Sequence, residues 1–396
     1  MNQRIDSHHP GACTPGPDAL HRVGCSPARR HAPRIPSEPS GRRGAILLAA
    51  DGWHLTAQIL AAAVALAALG SGTAHAQANY YEGKTIRLVV GLAAGGGFDT
   101  YARVIGRHIG KHIPGNPTVV VDNMTGAGGI VMMNYLYKAA KPDGLTVGHF
   151  NGAAVLGQIL GQKGIEFDAR KYEYLGAAVK EDVVCGLTKA SGITSLERWQ
   201  AAKSPVKLGG VAPGQTPDNS ARIMGAALGL PVQVVSGYKG TSQIRLAAES
   251  GELAGGCWSW ESMRVTWKNG LEAGEVVPVV QVVAKPLPDI PNVPLAINLA
   301  KTDDARKLIL IGVQNSSAFA RPFALAPGTP KDRVEILHKA FHATLKDPAF
   351  LAEAEKANLS IDPISGAEMK RLVDEVFTLD APVLAKLKEA LFPEAR

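Results

Sequence analysis

The residues able to carry chemistry gather at the ends of apolar, β-branched runs. The clearest group is Gly95-Gly96-Gly97-Phe98-Asp99-Thr100. It follows Leu88-Val89-Val90 and precedes Tyr101, Ala102, Ile105 and Ile109, which recur at helical spacing. Strand, glycine turn and helix start together leave backbone N–H groups aimed at one spot, which is how an anion site is built. The same glycines also fit a plain βα turn in which they only supply positive φ. Asp99 fits a general base, or the N-cap of the helix it opens, the commoner use of such an acid.

Comparable groups recur along the chain. Asn123-Met124-Thr125-Gly126-Ala127-Gly128-Gly129 follows Thr118–Val121, and Asn151-Gly152 follows Leu145–Phe150. Further on come Gly214-Gln215-Thr216 with Asp218-Asn219 as a helix cap, then Gly237-Tyr238-Lys239-Gly240-Thr241, and finally Trp258-Ser259-Trp260. Hydroxyls, amides and glycines of this kind bind by hydrogen bonding. One of the two Trp rings suits a core and the other a ligand cleft, with Phe98 and Tyr238 as companions.

Signatures of catalysis are absent: there is no HExxH, GxSxG, GxxxxGK[ST] or DxDxDG, and Gly95–Gly97 does not fit the dinucleotide pattern. His108/His112 and His338/His342 have i, i+4 spacing, which can bind metal, but no acidic third ligand lies at nearby helical spacing, so exposed helix-face histidines are expected. His149, near a strand end, fits either a cleft or a hydrogen-bonded core position. Cys185 and Cys257 fit either a disulfide or two buried thiols. No metal and no cofactor is expected.

The elements that position these groups alternate strand with helix. Thr85–Leu92, Thr118–Val121 and Leu145–Phe150 read as strands with helices between them. A second set comprises Tyr174–Val179, Val183–Thr188, Val206–Val211, Val232–Ser236 and Leu253–Trp258, with Val277–Val283 and Leu308–Val313 continuing it. Helices are expected over 332–345, 348–357 and 366–392. Such alternation makes a mainly parallel sheet with ligand groups at the carboxyl ends of its strands. The α/β expectation is two lobes, 79–182 with 316–396 and 183–315.

With 396 residues, 46% hydrophobic and 19% charged, the chain can bury two cores. The net charge of +7 leans on residues 1–76, which hold seven of the Arg, no Lys and four acids. The remainder is only mildly basic, without the clustered, aromatic-interleaved basic run that nucleic acid requires. Residues 1–78 read as an N-terminal extension and signal peptide. Ile59–Leu69 is short of a membrane span and is followed by the small-x-small site Ala74-His75-Ala76; a retained anchor is the alternative. Either way the folded part lies outside the cytoplasmic membrane.

From about Tyr80 onward the chain resembles the periplasmic solute receptors of tripartite tricarboxylate transporters, the Bug-type binding proteins. The resemblance rests on Thr85–Arg103, Val121–Gly129, Lys141–Thr146, and Ala326–Pro330 followed by Val334, Leu337, Ala340 and Asp347-Pro348. Gly91 stands where Pro is usual, Phe98 where a small residue or Pro is usual, and Cys257–Trp260 is more aromatic than in most members. The resemblance implies a type II, Venus-flytrap binding fold that holds a small carboxylate between its lobes. Its site would comprise Gly95, Gly96, Gly97, Phe98, Asp99, Thr100, Thr125, Gly126, Asn151, Gly214, Gln215, Thr216, Asn219, Tyr238, Gly240, Thr241, Trp258, Ser259 and Trp260. In that setting Asp99 fixes the turn and helix start, while the glycine amides and Thr100 meet the carboxylate. The implied protein is a periplasmic monomer, not an enzyme, that delivers its ligand to integral-membrane permease subunits. The alternatives are a sensory receptor signalling to a membrane kinase and an exported enzyme on the same scaffold that uses Asp99 or His149 as base.

Overall fold

Six strands of the first half and the C-terminal part form one sheet, and five strands between them form another. The computed structural model describes residues 80–393. The expected extension and signal peptide, 1–78, and the expected cleavage site lie outside the described residues. The strands are β1 Thr85–Val90, β2 Thr118–Asn123, β3 Thr146–His149, β4 Glu173–Ala177, β5 Val183–Thr188, β6 Val206–Gly209, β7 Val232–Val235, β8 Gly255–Ser259, β9 Val276–Gln281, β10 Phe323–Leu325 and β11 Ile364–Ser365.

The first sheet has the order β11-β4-β10-β3-β1-β2 and the second β7-β6-β8-β5-β9. In the first, β1 to β4 run one way while β10 and β11 oppose them. In the second, only β5 opposes its neighbours, so four of the five described strands share a direction. The sheets are therefore mixed, mainly parallel in direction, with an antiparallel strand threaded into each.

That threading decides the geometry of the site. An antiparallel strand enters the sheet at the edge where its parallel neighbours end. Val183, the first residue of β5, pairs with Ser259, the last of β8. Phe323, the first of β10, pairs with His149, the last of β3. The residues just upstream of β5 and β10 are thus carried to the ligand edge together with the turns that follow β1, β3, β6 and β8.

Each sheet is covered by helices whose apolar faces make its core. Helix Gly97–Ile109 buries Tyr101, Ala102, Val104, Ile105 and Ile109. Helix Thr216–Leu228 buries Ala221, Ile223 and Met224. The last helix, Ala381–Leu391, seats Leu387 and Leu391 in the apolar cluster of the second sheet, beside Ile309 and Val313. Leu308–Val313 is not a strand. It lies in helix Asp303–Ile309 and the π-helical turn Leu310–Asn315. A short apolar run buried on one side reads alike in either period, and Thr302, whose hydroxyl caps Ala305 N at 3.1 Å, sets the helix start upstream. No helix among the described residues is long and apolar enough to cross a membrane.

Cys185 and Cys257 face each other across β5 and β8 and form a disulfide, which resolves the alternatives open from the sequence. It closes a loop with a sequence separation of 72. Constraining a loop of that length in the unfolded chain stabilises the fold by roughly 2–4 kcal/mol. Replacing both residues by Ala should lower the unfolding free energy by about that amount, read from urea denaturation of variant and parent.

Candidate functional site

Two acids, each at the third position of its helix, shape the two main turns in the same way. Helix Gly97–Ile109 has Gly96 as N-cap, with no side-chain cap. Asp99 is therefore not the N-cap; it sits within the first turn and reaches back. Its Oδ2 accepts from Gly95 N at 2.9 Å and Arg103 Nε at 2.8 Å, and its Oδ1 accepts from Asn123 Nδ2 at 3.0 Å. Burial pushes the Asp99 pKa up, but the bonds from Arg103, Gly95 and Asn123 outweigh it and hold the group below the ordinary carboxylate range. The carboxylate is committed to the turn, whose Gly95 takes φ +79°.

In the second turn the N-cap is Gln215, again without a side-chain bond, so neither Asp218 nor Asn219 caps the helix. Asp218 Oδ2 instead accepts from Val211 N at 2.6 Å and Ala212 N at 3.0 Å, and its Oδ1 accepts from Ser236 Oγ. Burial raises its pKa against those bonds.

The turns meet. Ala93 N donates to Lys239 O at 2.9 Å. A Cβ on Gly96 would lie 3.3 Å from Thr241 Oγ1, and one on Gly97 would lie 2.7 Å from Ser262 Cβ and 3.0 Å from Ser262 Cα, a contact only glycine permits. Asn151 Nδ2 donates to Thr216 Oγ1 at 3.0 Å, and Thr216 Oγ1 donates to Glu181 Oε2 at 2.8 Å.

Between these contacts lies a small cavity of about 20 Å³. Of the expected residues it brings together Gly96, Gly97, Phe98, Asn151, Gln215, Thr216, Gly240, Thr241, Trp258 and Ser259; Glu181 and Ser262 also line it. The remaining expected residues lie outside the lining. Gly95 and Asp99 form the turn beneath it, and Thr100 Oγ1 donates to Gly96 O at 3.0 Å. Thr125 and Gly126 belong to a turn whose Gly128 packs on Gln215 and Ala212. Gly214 packs on Gln162, and the Asn219 amide is buried without a protein partner. Tyr238 donates to Glu252 Oε1 at 2.6 Å, and Trp260 Nε1 to Asp289 Oδ2 at 3.1 Å, both directed away.

His149 takes the core alternative. It is buried, bonds Pro322 O through Nδ1 at 3.0 Å and stacks on Phe323 at 4.0 Å. Burial depresses its pKa to about 3, so it stays neutral. His108 Nε2 lies 2.7 Å from Glu353 Oε2 on helix Pro348–Lys356, and His112 Nε2 lies 2.8 Å from Oδ2 of that helix's N-cap, Asp347, so both are partly buried hydrogen-bond partners and not exposed helix-face residues. The His338 and His342 rings lie 4.5 Å apart.

Three helices of nine or more residues begin at this cavity, at Gly97, Thr216 and Thr241. Each N-terminus carries roughly +0.5 of an elementary charge on unsatisfied N–H groups. Two of the lining residues carry buried polar atoms without a protein partner: Trp258 through Nε1 and Gln215 through both amide atoms.

Behind the wall sits a residue the sequence reading missed. Arg321 is 2% exposed; its Nη2 donates to Ser259 Oγ at 2.5 Å and Ser262 Oγ at 2.6 Å. Its Nε lies 3.4 Å from Glu181 Oε1, and its guanidinium covers the Phe98 ring at 4.4 Å. Arg321 and Glu181 lie just upstream of β10 and β5, the antiparallel strands, and that topology is the signal that would have located them. Burial raises the Glu181 pKa, opposed by Arg321 and the Thr216 bond.

Comparison with known proteins agrees with this fold. The family model described as the tripartite tricarboxylate transporter family receptor matches residues 102–388. Among solved structures, periplasmic binding protein BugD superposes with a TM-score of 0.65 at 19% identity, covering 78% of this chain and 98% of that one. MatC from Rhodopseudomonas palustris with bound malate gives 0.62 at 20%, covering 77% and 99%. An R. palustris protein with adipate gives 0.62 at 21%, covering 78% and 97%. These likenesses show the two-lobed periplasmic binding protein fold. A stretch of 88 residues is 41% identical to the UPF0065 protein in gbd 5'region of Cupriavidus necator, 22% of this chain and 26% of that relative. The chain spans about a quarter of the curated relatives it matches.

Glu261, which opens the helix after β8, is buried beside Asp182, and burial followed by the Asp182 charge pushes its pKa up to about 8. The folded chain therefore holds a proton that the unfolded chain has released, from the ordinary glutamate range up to about pH 8. This stabilisation is fully present below that window and is lost as pH rises through it. Glu261→Gln should flatten the fall in stability between pH 5 and pH 8, measured as the urea midpoint against pH for both proteins.

Proposed function

The chain belongs to the tripartite tricarboxylate transporter receptor family, and from that premise we propose that it captures a small carboxylate between its two lobes and delivers it to the integral-membrane subunits of a tripartite permease. We place the lobes at 79–182 with 316–396 and at 183–315, with the last helix crossing to seat on the second. The place of work is the periplasm, reached through a signal peptide within residues 1–78, and the working form is a monomer that binds without turnover.

The observation that supports this most is the convergence of the helix N-termini at Gly97, Thr216 and Thr241 on one cavity. An anion there meets oriented N–H groups from both lobes, each terminus favouring it by roughly 0.3–1 kcal/mol at the surface and more when buried. Only the closed arrangement offers all three at once, so ligand and closure stabilise each other. The solved relatives titled with malate and adipate make four- to six-carbon acids the first ligands to try.

Titration with a panel of such acids should change the tryptophan fluorescence, because Trp258 lines the cavity. A folded protein that responds to no acid, by fluorescence or by calorimetry, would overturn the reading. Gly97→Ala should leave each lobe folded, hold the lobes apart against Ser262, and weaken binding by about tenfold or more. Calorimetry reads the affinity, and the scattering radius with ligand reads the failure to close.

A further inference from the structure

Two aromatic side chains line the cavity, Phe98 from the helix after β1 and Trp258 from β8. Each is held by its neighbours. Phe98 is 6% exposed and is the first of a row of rings, Phe98, His149, Phe323 and Phe341, with successive centroids 5.0, 4.0 and 5.0 Å apart. His149 is itself fixed by its bond to Pro322 O, and the Arg321 guanidinium lies 4.4 Å from the Phe98 ring. Trp258 stacks on Trp267 at 5.3 Å, and Trp267 Nε1 donates to Glu249 Oε1 at 3.0 Å. Rings packed in this way have little free volume to turn into, because interiors fill to the density of organic crystals.

The space they leave is small. Its volume of about 20 Å³ is little more than the roughly 10–15 Å³ that admits one water. An acid makes room in one of two ways, by moving the lining or by parting the lobes. The two rings resist the first. The second breaks the Ala93–Lys239 and Asn151–Thr216 hydrogen bonds and draws the helix starts at Gly97 and Thr216 away from each other. Each further methylene therefore costs closure, and with it the N–H groups of one lobe.

We infer that Phe98 sets the length of acid the site accepts, so that the receptor takes short acids and rejects six-carbon ones. The inference rests on the carboxylate-receptor reading above and narrows it. Phe98 adjoins the helix start at Gly97, and both residues line the cavity, so an acid seated on those N–H groups lies against this ring. Replacing the ring by a methyl group removes a wall but no hydrogen-bonding group. The preference for length then changes while the donors that meet the carboxylate stay in place. In a closely fitted apolar site one methylene is worth roughly 10–200-fold in selection.

The test measures affinity against length at constant charge, by calorimetry on the full chain, in two homologous series: acetate to hexanoate and malonate to adipate. In each series that binds, the six-carbon member should bind about tenfold or more weaker than the four-carbon member. Phe98→Ala should shift that ratio by about tenfold toward the longer acid. A general loss of stability weakens all lengths alike and leaves the ratio where it was. A parent protein that binds hexanoate as tightly as butyrate, or adipate as tightly as succinate, overturns the inference while leaving the receptor reading intact. An unchanged ratio in a Phe98→Ala protein with a native circular dichroism spectrum also overturns it. No binding in either series overturns the receptor reading itself. Should Phe98→Ala not fold, Phe98→Leu should move the ratio in the same direction, and if neither folds the parent series decides alone.

Discussion

A guanidinium sealed from water governs this structure. Arg321 is buried where the two lobes meet, and an uncompensated charge there would cost several kcal/mol. Its Nη2 is held by Ser259 and Ser262, from the end of β8 and the helix after it, Glu181 supplies counter-charge from the segment entering the second sheet, and the faces of Phe98 and Tyr101 from the first lobe lie at 4.4 and 5.3 Å, while Nε and Nη1 keep no hydrogen-bond partner. Because these partners come from both lobes, the same charge orders the cavity wall and ties the crossing segments to it. The consequence for binding is indirect. Arg321 does not line the cavity, but its Nη2 holds the hydroxyls of Ser259 and Ser262, two residues that do.

The two main turns solve one local problem twice. A helix that begins at a glycine-rich strand end needs its preceding loop held rigid, yet its first N–H groups must stay open to a ligand. An N-capping side chain would occupy those groups. Asp99 and Asp218 instead sit within the first turns of their helices and reach backwards, to Gly95 N and to Val211 and Ala212 N. The loops are fixed while the helix starts at Gly97 and Thr216 keep no side-chain cap. A shared arrangement in both lobes lets two half-sites of like polarity face each other.

This economy also explains what was legible in the sequence. Strand-turn-helix units announce themselves through period and glycine, so β1 to β9, their turns and most lining residues could be read directly. Asp99 as the residue that fixes its turn was readable too, though not as a cap, because Asp at either position looks alike. Arg321, Glu181 and Ser262 were not visible. A single Arg in Phe319-Ala320-Arg321-Pro322-Phe323 carries no periodic signal, and its place depends on β10 running against β3. Tyr238 and Trp260 misled for the converse reason: they stand in the right loops, but their polar ends reach Glu252 and Asp289 instead. Loop position follows from pattern; side-chain direction follows from partners far away in sequence.

A receptor must release what it binds, and the contact between the lobes is built accordingly. Across the cavity mouth it consists of small residues and neutral hydrogen bonds: Ala93 to Lys239, Asn151 to Thr216, Gly96 beside Thr241, Gly97 beside Ser262. A neutral bond of this kind contributes only about 0.5–1.5 kcal/mol net, since water replaces it when the lobes part. The strongly held groups, Asp99 with Arg103 and Asp218 with its amides, lie within one lobe each and do not resist opening. Rigidity is therefore placed inside each jaw and around Arg321, and the weaker contacts at the cavity mouth. With the balance between open and closed set by a few such bonds, the additional contacts of one small ligand are enough to shift it, because a ligand moves an equilibrium only by its differential affinity for the two states.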